Sequence, residues 1–281
     1  MLKSLYERRP KTLSIVYPVV IVISLLVIFT NLASTGTLLP LDVELTGGKE
    51  ISIFLDEQPD MALIEKAIGE GAEARIVPGV NPTLLIETSF EADENSIIQS
   101  LDEAGISGET SVRTFGPVLG EVFWRQAQMA IVLGFIAMAI IIFVIFRSFV
   151  PSVAIVLAAL SDMLFVLAML TLLNIDISLA AIAGILMIIG YSVDTDIVLT
   201  TNVTKETEGT VAERAHDAMK TGITITTTAL IAVIAMYLAS GSAVIQDIAT
   251  VLIIGLLIDM PVTWLGNAGM LISWMKKKTG G

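Results

Sequence analysis

Two aspartates, Asp194 and Asp196, stand in an apolar run covering residues 177–201. In hydrocarbon an ionisable side chain costs about 2.5–3.5 kcal/mol on insertion scales, so by default it faces a protein interior and marks an ion or substrate path. Residues two apart on a helix point roughly 200° away from each other, whereas residues four apart share a face. Ser192, Asp196, Thr200 and Thr204 make a polar ladder at that wider spacing, while Asp194 shares its stripe with Met187, Tyr191, Val198 and Thr201. The ladder favours Asp196 as the carboxylate turned toward a polar interface. Asp196 also lies about 9 Å from the end of its span at about 1.5 Å per residue, so hydration from that end is the structural alternative.

Other polar groups reach comparable depth. Asp162 and Asp259 fall in mid-span, and Asp259 precedes Pro261, whose missing N–H frees a nearby carbonyl and favours a kink with trapped water. Thr221, Thr224 and Thr228 line one helix face, where hydroxyls either bond between helices or relay protons. The candidate ion path is therefore Asp194, Asp196, Ser192, Thr200, Asp162, Asp259, Thr224 and Thr228. Arg147 and Lys220 lie at span ends, so no base inside the spans neutralises these carboxyl groups. They carry protons or pair with another chain. One proton crossing about 100 mV releases about 2.3 kcal/mol, enough to bias a two-state hinge.

The elements that must hold these residues are membrane spans. Of 281 residues 54% are hydrophobic, and mean hydropathy is +0.83. Stretches matching a bilayer core of about 30 Å, about 20 residues each, occur at 13–32, 127–146, 152–173, 178–201, 221–239 and 248–274. The first reads as a retained anchor, since it lacks a small-residue cleavage motif. Basic residues cluster in segments 1–12 and 202–220, at Arg147 and in the tail 275–281, whereas 174–177 and 240–246 hold none. Basic loops stay inside, which puts both termini in the cytoplasm of a multi-pass protein in the cell membrane and the long segment 33–126 outside.

That outward segment holds 17 of the 28 acidic residues against five basic ones, so the charge of −12 belongs to one domain. Such a balance excludes nucleic acid as a partner, because that needs a basic face. Residues 50–55, 74–77, 83–88 and 110–115 alternate like strands, and 60–69 and 93–104 carry helical stripes. Pro78-Gly79-Val80-Asn81-Pro82 reads as a turn. The order β-α-β-β-α-β is the ferredoxin-like split motif. The fold class expected is an α-helical polytopic membrane protein of six transmembrane helices with an α+β ferredoxin-like extracytoplasmic domain. At its two membrane junctions, Thr46-Gly47-Gly48 and Gly116-Pro117 are hinge candidates or simply tight turns.

Zero cysteines exclude disulfides, thiol catalysis and cysteine-ligated metals. There is no Gly-x-x-x-x-Gly-Lys run, and the single histidine, His216, stands in a polar loop, so neither cofactor, metal nor enzymatic activity is expected. Residues 211–219 are in helical register and fit a segment along the membrane surface. Intramembrane aspartyl proteolysis would need two facing aspartates on neighbouring helices. Asp194 and Asp196 cannot form that dyad; Asp162 with Asp196 could, but no Gly-x-Gly-Asp accompanies them.

Three stretches resemble SecF proteins: Val43-Glu44-Leu45-Thr46-Gly47-Gly48 after the first span, Phe115-Gly116-Pro117-Val118-Leu119-Gly120-Glu121 before the second, and Gly190-Tyr191-Ser192-Val193-Asp194-Thr195-Asp196-Ile197-Val198 in the fourth. Their order, their spacing and the six-span plan are similar to that family over essentially the whole chain, and the acidic outward domain looks most like the archaeal type. The resemblance implies an accessory subunit of the Sec export machinery, half of an RND-like unit completed by SecD. It further implies work with the SecY/SecE channel on a translocating polypeptide in the lipid bilayer, using a proton or sodium gradient. The match departs at one point: aligning Tyr191-Ser192 puts the family's Asp at Thr195, with Asp194 and Asp196 on either side, and the basic residue that follows is Asn202. Two other readings stay open, a non-conducting structural subunit and half of a small-molecule exporter.

Overall fold

Long runs of Val, Ile, Leu and Ala can satisfy their backbone in hydrocarbon only as helices, and these runs set the architecture. The structure, a computed structural model, describes residues 2–69, 71–79 and 82–278. In chain order its elements are α1 (Leu2–Arg8), α2 (Pro10–Leu13), α3 (Val16–Thr35), α4 (Val43–Thr46), β1 (Gly48–Phe54), α5 (Met61–Ile68), β2 (Ala72–Val77), β3 (Thr83–Thr88), α6 (Glu94–Glu103) and β4 (Glu109–Phe115). There follow α7 (Pro117–Phe146), α8 (Phe149–Leu172), α9 (Leu179–Lys205), α10 (Val211–Ala239), α11 (Ala243–Pro261), a π-helix (Val262–Asn267) and α12 (Ala268–Lys278). Among the described residues six helical segments are long and apolar enough to span a bilayer.

Several bounds differ from those read in the sequence, each for a local reason. Helix α7 starts ten residues before 127, because Pro117 at its first turn presets the backbone and needs no N–H partner. Residues 211–219 continue the fifth span as one helix instead of lying apart on the surface. Thr210 caps that helix: its hydroxyl accepts from Glu213 N, and the Glu213 carboxylate accepts from Thr210 N at 2.8 Å. Of the Pro78–Pro82 turn, Val80 and Asn81 lie outside the described residues, as do residues 279–281 of the tail.

The four strands order as β2-β3-β1-β4, all antiparallel, which with both helices on one face is the ferredoxin-like arrangement. Ile51, Ile53, Leu84 and Ile86 point under α5 and α6 and meet Ile64, Ile97 and Leu101. Asp60 and Asp93 cap those helices by accepting from Ala62 N and Asn95 N at 3.0 and 3.1 Å. The alternate residues Glu50, Ser52 and Phe54 form the opposite face, turned toward the membrane bundle.

Inside the bundle α8, α9 and α11 form the centre, with α7 and α10 outside them. The central helices approach closely because glycines leave room. A Cβ at Gly184 of α9 would lie 2.9 Å from Val251, and one at Gly255 of α11 would run into Ile188. We expect Gly255→Leu to cost about 1–3 kcal/mol through overpacking and to lower the thermal midpoint in detergent. Gly134→Ala is the control, since its new Cβ would meet only Leu186 at 3.5 Å. Equal midpoints for both variants would refute this packing.

Candidate functional site

At the centre of the bundle Asp162 of α8, Asp196 of α9 and Asp259 of α11 are at most 1% exposed. Small hydroxyl and amide side chains fill the space between them. Ser192 Oγ donates to Asp162 Oδ2 at 2.6 Å. Thr195 Oγ1 lies 3.1 Å from Asp259 Oδ2 and 2.9 Å from the Ser192 carbonyl. Thr263 Oγ1 stands 3.0 Å from both Asp196 Oδ1 and Asp259 Oδ1, and Asn267 Nδ2 donates to Asp196 Oδ1 at 2.6 Å. Tyr17 of α3 closes one side: it is 4% exposed and donates to the Ala154 carbonyl at 3.2 Å.

Hydrogen supply limits what this cluster can be. A threonine hydroxyl has one proton to give, so Thr263 cannot donate to two ionised carboxylates at once. One of its two contacts requires a carboxyl that donates. Thr195 can give its one proton either to the Ser192 carbonyl or to Asp259. Asp162 Oδ1, Asp196 Oδ2, Thr200 Oγ1 and Asn267 Oδ1 are buried with no partner among the described residues. The carboxyls of Asp162 and Asp259 also approach closely enough to hydrogen-bond once either holds a proton. With no Lys or Arg among them, neutrality needs protons or a cation from outside, and the contacts form a continuous line for passing one: Asp162, Asp259, Thr263, Asp196.

The π-helix shapes this line. Pro261 breaks the α-helical bonding of the sixth span, and the widened turn Val262–Asn267 aims Thr263 and Asn267 at Asp196. Neither residue was singled out from the sequence. The signal was there: Asp259, Thr263 and Asn267 repeat the i, i+4 spacing of Ser192, Asp196 and Thr200, but it straddles a proline that ends ordinary helical register.

The expected residues divide. Ser192, Asp196, Asp162 and Asp259 come together, with Thr195 in the cluster and Thr200 one turn away, buried. Asp194 does not join them. It lies with Tyr191 and Met187 on an exposed face of α9. Thr224 and Thr228 are also exposed, their hydroxyls donating to the Lys220 and Thr224 carbonyls of their own helix.

The four hinge candidates meet at one point. Gly47 has φ +88°, and a Cβ there would lie 2.6 Å from Pro117 Cα, so both connections between domain and bundle pass through one tight contact. The domain is fastened to α9 and α11 beside it. Arg75 of β2 donates to Asp247 at 2.9 Å, Ser178 donates to the same carboxylate at 2.7 Å, and Glu44 accepts from Leu179 N at 3.0 Å. Gln246 donates to the carbonyls of Pro78 and Ser240.

Comparison with known proteins fits this geometry. Residues 97–277 match the family described as "Protein export membrane protein SecD/SecF, C-terminal". The chain belongs to the SecD/SecF family. Protein-export membrane protein SecF of Pyrococcus furiosus is 37% identical over 99% of this chain and 96% of its own length; that of Methanothermobacter thermautotrophicus is 36% identical over 90% and 88%. The fold resembles SecDF from Thermus thermophilus, with a TM-score of 0.71 at 19% identity over 95% of this chain. This chain spans 38% of that longer SecDF chain.

Acidic groups at the fastening make the seat of the ferredoxin-like domain pH-sensitive. Burial, with Glu44 and Glu50 nearby, pushes the Asp42 carboxyl up to about 7. Burial, then the charges of Asp42 and Asp176, push Glu87 up to about 8. Both hold a proton more tightly docked than free. Their contribution to docking is therefore complete below the ordinary carboxylate range, falls as pH rises above that range, and is gone above about 8. We expect hydrogen exchange in β2 and β3 to speed up over that range beyond its intrinsic base catalysis, and Asp42→Asn with Glu87→Gln to flatten the excess. An excess that survives the double variant would assign it elsewhere.

Proposed function

We propose that this chain is a SecF-type accessory subunit of the Sec protein translocase in the cytoplasmic membrane, that it pairs with SecD, and that it assists export by passing protons through its intramembrane carboxyl cluster. Both termini face the cytoplasm in this reading, and the acidic domain faces outward. The observation that carries it is the buried cluster of Asp162, Asp259, Thr263 and Asp196, with Ser192 and Thr195 standing between Asp162 and Asp259, at membrane depth with no internal base and short of hydrogen donors. A purely structural core would be better served by apolar packing, since buried ionisable groups without partners are costly. Proton arrival and departure change which hydroxyl can donate to which carboxyl. The helices that carry the carboxyls also hold the outward domain through Leu179 and Asp247, so the same helices can move it.

Pairing with SecD is supported by the outer face of α9. Asp194 sits there in mid-span, near Met187 at 43% and Tyr191 at 39% exposure. A carboxyl group at that depth is not left facing lipid tails. A second helical half offering a hydroxyl, amide or cation covers it, and the longer SecDF chain that this fold resembles has room for such a half.

The test is export of a secreted reporter from vesicles that hold this protein, SecD and the SecY/SecE channel, with and without an imposed proton gradient. Asp196→Asn should abolish the gradient-dependent part while leaving assembly intact. Asp194→Asn should instead weaken co-purification with SecD. Full gradient stimulation in Asp196→Asn, Asp259→Asn and Asp162→Asn alike would leave the chain a non-conducting stabiliser of SecD and the channel.

A further inference from the structure

Strand β4 ends the sheet. It pairs with β1 in unbroken register from Gly48↔Phe115 to Phe54↔Glu109, and no strand lies on its other side among the described residues. Glu109 through Thr114 are all exposed. The opposite edge, β2, is tied down by Arg75 to Asp247, and its Val77 is 1% exposed. Folded proteins blunt a free edge with proline, lysine, a bulge or a cover. β4 reads Glu-Thr-Ser-Val-Arg-Thr-Phe, without proline, lysine or bulge and with its two charges, Glu109 and Arg113, near its ends, while Thr110, Val112 and Thr114 favour an extended backbone.

A groove adjoins this edge. On the sheet face not covered by α5 and α6, a cavity of about 490 Å³ opens between the strands and residues 241–244 of the bundle, lined by Ser52, Phe54, Leu85, Arg113 and Val244. Phe54 and Val244 are 47% and 44% exposed, so the lining is part apolar and part polar. Arg113 belongs to both features, standing on β4 with its guanidinium held 2.9 Å from Glu50.

We propose that β4 and this groove form a docking site for an extended, unfolded polypeptide, which adds to the sheet as a fifth strand and lays alternate side chains into the groove. The inference rests on the export reading above and supplies the surface that meets the exported chain. Main-chain hydrogen bonds along an open edge bind without reading sequence, and pockets for every second residue add modest preference. That combination suits a cargo of many sequences. It does not suit a permanent subunit: Val112 is the one large apolar residue exposed on β4, whereas lasting interfaces are strongly apolar. The groove also opens beside the bundle, at residues 241–244.

The chain has no cysteine, so Val112→Cys labelled with bimane gives a single reporter on the edge. The full protein in lipid nanodiscs, without any gradient, would be titrated with a fluorescent ten-residue Thr/Val/Leu peptide, and with the same peptide N-methylated at alternate residues. The expected result is shielding of bimane by the first peptide and about tenfold or weaker binding of the second, the loss that follows from removing main-chain donors. Phe54→Asp should weaken binding while the thermal midpoint holds. Equal affinity for both peptides overturns the proposal. So does a label already shielded before peptide is added, by a second copy at rising protein concentration or by SecD when present. Because no gradient is used, failure here leaves the Asp196→Asn result untouched, and failure of that test leaves this one standing.

Discussion

Three carboxyl groups at bilayer depth, with no cation supplied by the chain, are the constraint around which the membrane half is arranged. Water is absent there as a solvent, so each oxygen must be met by a donor on a neighbouring helix or hold a proton itself. The donors are short: Ser192, Thr195, Thr263 and Asn267. Short side chains reach a carboxylate only if the backbones are close. That is why glycines stand at the α9–α11 contact, and why the sixth span gives up regular helix over Val262–Asn267 to turn Thr263 and Asn267 inward.

The ferredoxin-like domain depends on the same helices. Glu44 accepts from the first residue of α9, and Arg75 and Ser178 converge on Asp247 near the start of α11. The domain therefore rides on the two spans that carry Asp196 and Asp259. At the junction Gly47 packs on Pro117, where a Cβ would lie 2.6 Å from Pro117 Cα, so both covalent connections run side by side there. The carboxyls around Arg75, lining a cavity of about 260 Å³, make the same seat sensitive to pH.

Much of this was legible in the sequence where one physical rule dominates. Hydrocarbon thickness fixes span length, and strand alternation and helical stripes marked the strands and helices of the domain, whose caps, Asp60 and Asp93, the structure adds. The ladder of Ser192, Asp196 and Thr200 was legible because helical spacing alone decides which residues share a face. Thr263 and Asn267 were not, because their orientation comes from a π-turn that ordinary periodicity does not encode. Asp194 shows the reverse limit. Its type and depth mark it as functional, yet only packing reveals that it faces away from the other carboxyls. Thr224 and Thr228 share a face by spacing, but that face turns outward and their hydroxyls bond back into their own helix.

The position that departs from the family's motif gains a physical account from this packing. Where the motif carries an acid, Thr195 turns inward and shares its proton between the Ser192 carbonyl and Asp259. The acid of this chain lies one residue on, at Asp196, about 100° further round the helix and facing Thr263 and Asn267 of the sixth span. Asp259 then takes a carboxyl group into the space beside Thr195 from a different helix. A carboxyl displaced on one span and supplied by another keeps an acidic group at the same depth while changing which helices meet around it. In this chain they are α9 and the two halves of the sixth span, whose π-turn also places the Trp264 carbonyl 2.5 Å from the buried Tyr6 hydroxyl of α1. That turn is thus in contact with the N-terminal helix at one end of the bundle and continuous, through α11, with Asp247 at the other.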